Sequence, residues 1–416
     1  MKENVHISVW RLRDAQIVIP ARALSVLGDS ILAVVLLLRI NDSGAGPWAV
    51  TGLLVVEALP LIMLMGVAGH VADRRDSRRV LTVGIGVQVM ACCALVFASR
   101  LVVIYLLVAV VQTAQAFVGP TWTALGPRIV GEDRVGELIA LQQGVTMSLG
   151  PIGGAIGAVI YGVVGAKLAV AADAATFAVL LIAALAIRTR RNSVVDNATD
   201  GSAPRTALTT AGVRVVRADP VVWPLLIASL LVVLVLGGVN VVEVFLVRDV
   251  LRMSAGWYGL GELVFTLGAV AGSVLAARVR SDGGRVRGTL CGFMAIGVGV
   301  LVDGVSPWYW LVLMMSVVIG VACALMNACF GALFVGRTAD ADRGKVSAAI
   351  NGLMQVANVV SLVAFGGLGS WLGIRQAFVI GGCTALVVTI LALGTLRVRK
   401  VSPVIQGDVV SVSGGR

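Results

Sequence analysis

Five acidic side chains lie inside long apolar stretches of this 416-residue chain, at Asp29, Glu57, Asp173, Glu243 and Glu262. A charged side chain at the centre of a lipid bilayer costs about 2.5–3.5 kcal/mol on insertion scales, so such groups normally face a cavity or a partner. Burial in an apolar environment favours the neutral form of a carboxyl group and brings its protonation into the physiological range. Carboxyl groups in this setting could exchange protons between the two sides of a membrane.

Two of these carboxyl groups are the leading candidates for proton coupling. Asp29 and Glu57 lie near the middle of the first two predicted helices, whereas the other three lie nearer the predicted external side. The alternative is a structural hydrogen bond to a neighbouring helix. Arg22, two helical turns before Asp29, is a candidate partner for it, or its side chain extends to the inner end of the helix.

The composition requires these groups to be positioned by membrane-spanning helices. The chain is 58% hydrophobic and 13% charged, with a mean hydropathy of +0.97, which excludes an ordinary soluble domain. Seven uncharged runs are long enough to cross about 30 Å of hydrocarbon, and five more are interrupted by one or two ionisable residues. We therefore predict an all-α membrane protein with twelve transmembrane helices.

The distribution of basic residues predicts the orientation. With both termini in the cytoplasm, only six of the 33 Lys and Arg fall in external loops. Five tryptophans then lie at external helix ends, where we interpret them as interface anchors rather than a binding cage.

Arginine far outnumbers lysine, which together with the richness in Ala, Val and Gly suggests a GC-rich bacterial genome. The predicted location is the bacterial cytoplasmic membrane.

Several other classes of protein are disfavoured by the residue types present. The net charge of +11 follows from the cytoplasmic loops and does not indicate nucleic-acid binding. The chain has only two histidines, and its six cysteines fall within predicted helices, so we expect no metal site, disulfide or cofactor. It contains no GxxxxGK[ST] loop and no nucleophile–base constellation, which argues against an ATP-driven pump and against an enzyme with catalytic residues.

The chain divides near its middle at a polar segment. We predict an N-terminal six-helix bundle at 1–187, a cytoplasmic linker at 188–220, a C-terminal six-helix bundle at 221–400 and a cytoplasmic tail at 401–416. An offset of 209 residues places Asp73 on Asp282 and aligns the two halves. Such pseudo-symmetric bundles place a cavity between them and favour transport by alternating access.

The charged segment GHVADRRDSRR, from Gly69 to Arg79, lies between two apolar runs. It resembles the loop between helices 2 and 3 of the major facilitator superfamily, in which a glycine precedes an Asp-Arg pair and a basic cluster. Three further features are similar to the drug:proton antiporter-3 branch of this superfamily, which includes macrolide and siderophore exporters. They are Asp76 in place of the commoner glycine, the LGD sequence from Leu27 to Asp29, and the sequence LGPRIVGEDRVGELIALQQGV after helix 4.

The resemblance implies a gating role for this loop. The matching positions are Gly69, Asp73, Arg74, Arg78 and Arg79. Asp73 would accept hydrogen bonds from the N-terminus of a helix in the other half, and the arginines would pair with acidic groups or lipid phosphates. The alternative is a solvated charge cluster that serves only the topology.

Helix 5 carries the glycine-rich sequence GVTMSLGPIGGAIG. It resembles the antiporter motif of exporting members of the superfamily, and the matching positions are Gly144, Gly150, Pro151, Gly153, Gly154 and Gly157. Glycines at this spacing leave a groove for close helix packing, and the proline bends the helix. We expect a hinge at a rocking interface, with ordinary tight packing as the alternative.

Polar side chains on the helices that the resemblance assigns to the central cavity are candidates for substrate binding. They are Gln112, Gln115, Gln142, Asn240, Asn327, Asn351, Gln355 and Asn358. Related exporters often have an arginine at this position of helix 4, as part of a proposed proton relay, whereas this chain has Gln112. Proton coupling through such a relay is therefore in doubt.

The resulting expectation is a secondary transporter. Its expected partners are protons, membrane lipid and a small amphipathic molecule that resembles a drug, macrolide or siderophore. Export by proton antiport through a monomer is the leading hypothesis. The alternatives are an importer of a small metabolite, proton-coupled or facilitative, and a membrane sensor that does not transport.

Overall fold

The computed structural model describes residues 12–131, 134–187, 189, 213–338 and 342–398. Within these residues, twelve helices are long and apolar enough to cross a membrane. The predicted all-α fold with twelve spanning helices is confirmed. Most of the predicted linker at 188–220 and the whole predicted tail at 401–416 lie outside the described residues, so the domain boundaries stay predictions.

Six helices form the N-terminal half. They are α1 (Arg13–Asp42), α2 (Pro47–Arg74), α3 (Ser77–Phe97), α4 (Leu101–Val130), α5 (Val135–Val164) and α6 (Ala166–Ala186). A helix satisfies its own backbone hydrogen bonds, which is why apolar sequences of this length adopt it in lipid. Gly131 and Gly165, with φ of 84° and 81°, end α4 and α5 in a backbone conformation that favours glycine.

The C-terminal half repeats this arrangement. Its helices are α7 (Val222–Phe245), α8 (Ala255–Ala277), α9 (Asp282–Val305), α10 (Tyr309–Arg337), α11 (Arg343–Trp371) and α12 (Ile374–Val398). A π-helical turn, Leu246–Val250, extends α7. Ser281 caps α9 by accepting a hydrogen bond from the backbone N–H of Gly284 at 3.1 Å.

The helix contacts show that the two halves have the same internal packing. In the N-terminal half α1 packs on α5 and α6, α2 on α4, and α3 on α4 and α6. The same pairs occur six helices later, where α7 packs on α11 and α12, α8 on α10, and α9 on α10 and α12. The two bundles are therefore pseudo-symmetric, and one continuous buried core runs through both of them.

The two halves meet mainly through α5 against α8 and α2 against α11. These two contacts are themselves equivalent under the repeat of six helices. They lie toward the ends that carry the loops at 43–46, 98–100, 165, 251–254, 306–308 and 372–373. We call this the predicted external end, because the distribution of basic residues assigns these loops to the outside.

Candidate transport site

The N-terminal half contains a polar cavity of about 270 Å³ between α1, α2, α3 and α4. Asp29 from α1 and Glu57 from α2 line it, together with Gln112 and Gln115 from α4. The remaining lining is mostly leucine, valine and alanine. The structure thus brings four of the sequence-predicted candidates to one cavity.

Gln88 of α3 also lines this cavity and was not among the predicted site residues. Its side chain is buried, and its Nε2 donates a hydrogen bond to Gln115 Oε1 at 2.9 Å. Its Oε1 has no hydrogen-bond partner among the described residues. A buried acceptor without a partner is costly, so this oxygen is available to a donor within the cavity. The signal in the sequence was a single amide in the apolar run of helix 3.

Asp173 of α6 lies behind the cavity, against α1. A Cβ placed on Gly28 would lie 2.6 Å from Asp173 Oδ1, so the glycine before Asp29 lets α6 approach closely. Asp173 is fully buried and accepts hydrogen bonds from Cys92 Sγ at 3.5 Å and Thr176 Oγ1 at 3.3 Å. These bonds within the bundle give Asp173 a structural setting that differs from that of Asp29.

The C-terminal half has a second polar cavity, of about 140 Å³, at the equivalent helices α7, α8, α9 and α10 with a contribution from α12. Glu243, Glu262 and Asn240, all predicted candidates, line it. Each half therefore places one carboxyl group from its first helix and one from its second helix beside the same internal cavity.

Asp303 of α9 adds a third carboxyl group to this second cavity and was missed by the sequence analysis. It is 5% exposed, and its Oδ1 has no hydrogen-bond partner among the described residues. Position 303 is near the end of its predicted helix, where an acidic residue is common, so no feature of the sequence distinguishes it as a site residue.

Two predicted candidates lie elsewhere. The Arg22 guanidinium is 5.8 Å from the centre of the Trp122 ring and lines a small separate cavity with Gln142. This geometry is a cation–π contact. The structure therefore does not bring Arg22 to Asp29. Asn327 is exposed on α10 and is not among the residues that line either polar cavity.

Polar contacts join the halves at the predicted external end. Asp42 Oδ1 and Arg248 Nη2 form an ion pair at 2.6 Å, and Asn41 Nδ2 donates to Asp249 Oδ2 at 3.1 Å. Thr51 Oγ1 donates to the carbonyl oxygen of Leu362 at 3.2 Å. The rings of Trp48 and Trp371 meet edge to face, with their centres 6.1 Å apart.

The opposite ends of the interface helices are open. A Cβ added to Gly66 or Gly69 of α2, Gly144 of α5 or Gly352 of α11 would meet no atom of the described residues within 4 Å. Among the described residues, polar and aromatic contacts join the halves at the predicted external end, and these glycines are open toward the predicted cytoplasmic end. This pattern is expected of a carrier open to the predicted cytoplasmic side.

The glycine-rich face of α5 packs within its own bundle rather than at the expected rocking interface. A Cβ on Gly153 would lie 2.6 Å from the carbonyl oxygen of Leu27, and one on Gly157 would lie 2.9 Å from that of Ile31, both on α1. The contact of α5 with the other half involves Ala155 and Ala158, which pack against Gly259 of α8. Glycine spacing indicated close packing but did not identify the partner helix.

The family profile of the Major Facilitator Superfamily matches residues 18–280 and 244–411. The chain belongs to this superfamily. A curated relative, the uncharacterized MFS-type transporter YfiS of Bacillus subtilis (strain 168), is 23% identical over 384 residues, which cover 90% of this chain and 91% of the relative. The chain is therefore a multi-pass membrane transporter of this superfamily rather than an enzyme.

Solved structures of the superfamily have the same fold. A bacterial homologue of the human lysosomal transporter Spinster, inward-facing and unoccupied, has a TM-score of 0.69 at 14% identity, covering 93% of this chain and 98% of that one. The nucleoside transporter NupG has a TM-score of 0.68 at 12% identity, covering 92% and 99%. A bacterial homologue of ferroportin, inward-facing, has a TM-score of 0.67 at 14% identity, covering 91% and 98%.

The loop that carries the superfamily signature spans the end of α2 and the start of α3. Asp76 caps α3 by accepting a hydrogen bond from the backbone N–H of Arg78 at 2.8 Å. The Arg78 guanidinium donates to the carbonyl oxygen of Leu185 at the end of α6, within the same half. The side chain of Asp73 lies outside what the structure describes, so the expected contact with the other half stays a prediction.

Proposed function

We propose that this transporter exports small amphipathic molecules in exchange for protons. The observation that carries the proposal is that Asp29 and Glu57, from two different helices, line one internal cavity of the N-terminal half. The setting we propose is the bacterial cytoplasmic membrane, with a monomer whose termini are both cytoplasmic. The superfamily membership and the space at the predicted cytoplasmic end are consistent with this setting.

The cycle follows from the cost of burying charge. Protonation of Asp29 or Glu57 from the outside neutralises that group, so the carrier reorients to open to the cytoplasm without an uncompensated buried charge. Release of the proton to the cytoplasm leaves a carboxylate that favours capture of a cationic or polar cargo. Proton and cargo thus compete for one state of the carrier, which couples their movements in opposite directions.

The cavity linings favour a particular charge of the cargo. Among the described residues that line the two polar cavities there are five carboxyl groups and no lysine or arginine. Anionic molecules would be repelled, whereas cationic or neutral molecules with apolar surface match the mixture of carboxyl, amide and aliphatic groups. Among the drug, macrolide and siderophore classes, we therefore favour basic drugs and macrolides.

Gln112 occupies the place where related exporters often carry an arginine, and it lines the same cavity as Asp29 and Glu57. An amide does not carry a proton in the physiological range. Coupling in this chain is therefore assigned to the carboxyl groups themselves, with the amides of Gln88, Gln112 and Gln115 as hydrogen-bond donors and acceptors around them.

Transport in proteoliposomes under an imposed pH gradient tests the proposal, with ethidium and erythromycin as probes. We expect gradient-driven flux in the wild type and at least a tenfold loss, about 1.4 kcal/mol, in Asp29→Asn and Glu57→Gln. Glu137→Gln is the matched control, because Glu137 is exposed in the first turn of α5. Full gradient-driven flux in both cavity variants would refute the coupling assignment.

The direction of transport is tested in everted membrane vesicles. An exporter accumulates the probe in these vesicles when the proton gradient is applied, whereas an importer accumulates it in right-side-out vesicles. Absence of flux for every compound in a broad panel, from protein that is folded by its thermal unfolding profile, would favour the alternative of a sensor that does not transport.

A further inference from the structure

A groove of about 920 Å³ runs along the outer surface of the N-terminal half, between the end of α2, α3 and α4. Its lining has two parts. Arg74, Arg75 and Arg79 lie at the predicted cytoplasmic end, and aliphatic side chains such as Val83 and Val87 line the part toward the middle of the membrane. The groove is separate from the two internal cavities.

The three arginines are available to a ligand. Arg74, Arg75 and Arg79 are exposed, and no hydrogen bond or ion pair joins any of their guanidinium groups to another described residue. Asp76 also lines the groove, but its carboxylate is engaged in capping α3. Guanidinium groups bind phosphate oxygens through paired hydrogen bonds, so this end of the groove suits a phosphate.

The apolar part of the groove begins next to the arginines. From Val80 to Val87 it follows seven residues of α3, which at 1.5 Å per residue is about 10 Å. This is about two thirds of one leaflet, which is half of a hydrocarbon core of about 30 Å. A molecule with a phosphate at the membrane surface and an alkyl chain that extends into the leaflet matches both parts of the groove at once.

The pseudo-symmetric half provides an internal comparison. At the offset of 209 residues, Arg74, Arg75 and Arg79 correspond to Gly283, Gly284 and Gly288. The equivalent loop carries its arginines at other positions, at Arg278, Arg280, Arg285 and Arg287. The topology rule therefore accounts for basic residues at this end of both halves, and in the N-terminal half three of them also lie at the mouth of a groove.

We propose that this groove is a binding site for an anionic glycerophospholipid of the cytoplasmic leaflet. Its phosphate is bound by Arg74, Arg75 and Arg79, and one acyl chain lies along Val83 and Val87. Each arginine near a membrane surface strengthens binding of anionic lipid by about fivefold. The inference concerns a site on the lipid-facing surface and stands whether or not the carrier exchanges protons for cargo.

Native mass spectrometry of the full-length purified protein tests the site, with phosphatidylglycerol and phosphatidylcholine of identical acyl chains as probes. We expect the wild type to retain phosphatidylglycerol preferentially, and Arg74→Gln/Arg75→Gln/Arg79→Gln to lose about tenfold or more of that preference. The control Arg278→Gln/Arg280→Gln/Arg287→Gln removes three exposed arginines from the other half and should keep it. An equal loss in both triple variants would overturn the proposal.

A second variant separates a lipid site from a site for free phosphate. Val83 is 66% exposed, so Val83→Trp fills the apolar part of the groove without disturbing the bundle core. We expect Val83→Trp to reduce retention of phosphatidylglycerol, and excess inorganic phosphate to leave most of the lipid bound. Displacement by inorganic phosphate together with normal retention in Val83→Trp would show an anion site without a lipid and would refute the inference. Because this variant keeps every arginine, it remains informative if the triple variant does not fold.

Discussion

Asp42 at the end of α1 and Arg248 in the π-helical turn after α7 form an ion pair across the boundary between the halves, with 2.6 Å between Oδ1 and Nη2. The residues beside them, Asn41 and Asp249, hydrogen-bond to each other at 3.1 Å. Tyr161 of α5 donates a hydrogen bond to the second oxygen of Asp42 at 2.8 Å. These contacts cluster where the carrier has to separate its halves in order to open outward.

Loss of this ion pair should shift the carrier toward the outward-open state. The side chains of Arg248 and Asp42 are 22% and 37% exposed, so solvent limits the contribution of the ion pair to about 1 kcal/mol or less. This corresponds to a factor of about five in the ratio of the inward-open to the outward-open state. Arg248→Gln should therefore lengthen the distance between a spin label at position 100 in the N-terminal half and one at position 308 in the C-terminal half. Pulsed electron paramagnetic resonance measures this distance. Lys167→Gln removes an exposed charge at the same end and should change nothing. Identical distance distributions in Arg248→Gln and the wild type would contradict this role.

The contact between α5 and α1 predicts opposite effects of one substitution at two glycines. The Cβ of Gly153→Ala would meet the carbonyl oxygen of Leu27 at 2.6 Å, so backbone must shift, at a cost of about 1–3 kcal/mol. Gly144 has open space, and alanine there should leave stability unchanged or raise it by about 0.5–1 kcal/mol. Thermal unfolding in detergent, followed by tryptophan fluorescence, measures both. Equal unfolding temperatures for the two variants would show that α1 and α5 are not packed this closely.

The fold was predictable from the sequence because each spanning helix must be long and apolar, whatever its neighbours are. The site was only partly predictable. Asp29 and Glu57 are conspicuous, since an acidic residue in an apolar run needs a reason to be there. That Gln88 completes their cavity, and that Asp303 joins Glu243 and Glu262, depends on how the helices pack, and the chain carries no local signal of that packing.

The same distinction explains the α5 glycines. Their spacing predicts a face that another helix approaches closely, and Gly153 and Gly157 do form such a face. Small residues leave the identity of the approaching helix open, because any backbone fits against them. The structure assigns this face to α1, and it leaves Ala155 and Ala158 for the contact with α8.

Asp219, before α7, should make the stability of the C-terminal half depend on pH. Partial burial raises the pKa of Asp219, but hydrogen bonds from the Arg337 guanidinium at 2.8 Å and from the backbone N–H groups of Val222 and Val221 outweigh it, so the pKa lies below its ordinary value of 3.8. The native state therefore binds this proton less readily than the unfolded state, and the stabilisation is present above about pH 4 and disappears as pH falls through the lower native pKa.

Asp219→Asn should lower the unfolding temperature at pH 6, where the wild-type carboxylate is ionised and paired. The difference between the two proteins should shrink toward pH 3, because the wild type begins to lose the same interaction. Asp282→Asn is a suitable control, since that carboxylate is 49% exposed and pairs with Arg285 only three residues away on the same helix. A difference that stays constant from pH 6 to pH 3 would exclude a titrating pair.

Asp303 should show a conflict between stability and activity. Its buried Oδ1 lacks a partner among the described residues, and an ionised carboxyl in that position is costly, so Asp303→Asn should raise the unfolding temperature by an amount corresponding to about 0.5–2 kcal/mol. If Asp303 attracts cargo or protons into the second cavity with Glu243 and Glu262, the same variant should slow gradient-driven transport severalfold. Asp303 would instead be purely structural if the asparagine variant transported normally and unfolded at a lower temperature, because a carboxyl group that stabilises the bundle cannot be replaced by a neutral amide without loss.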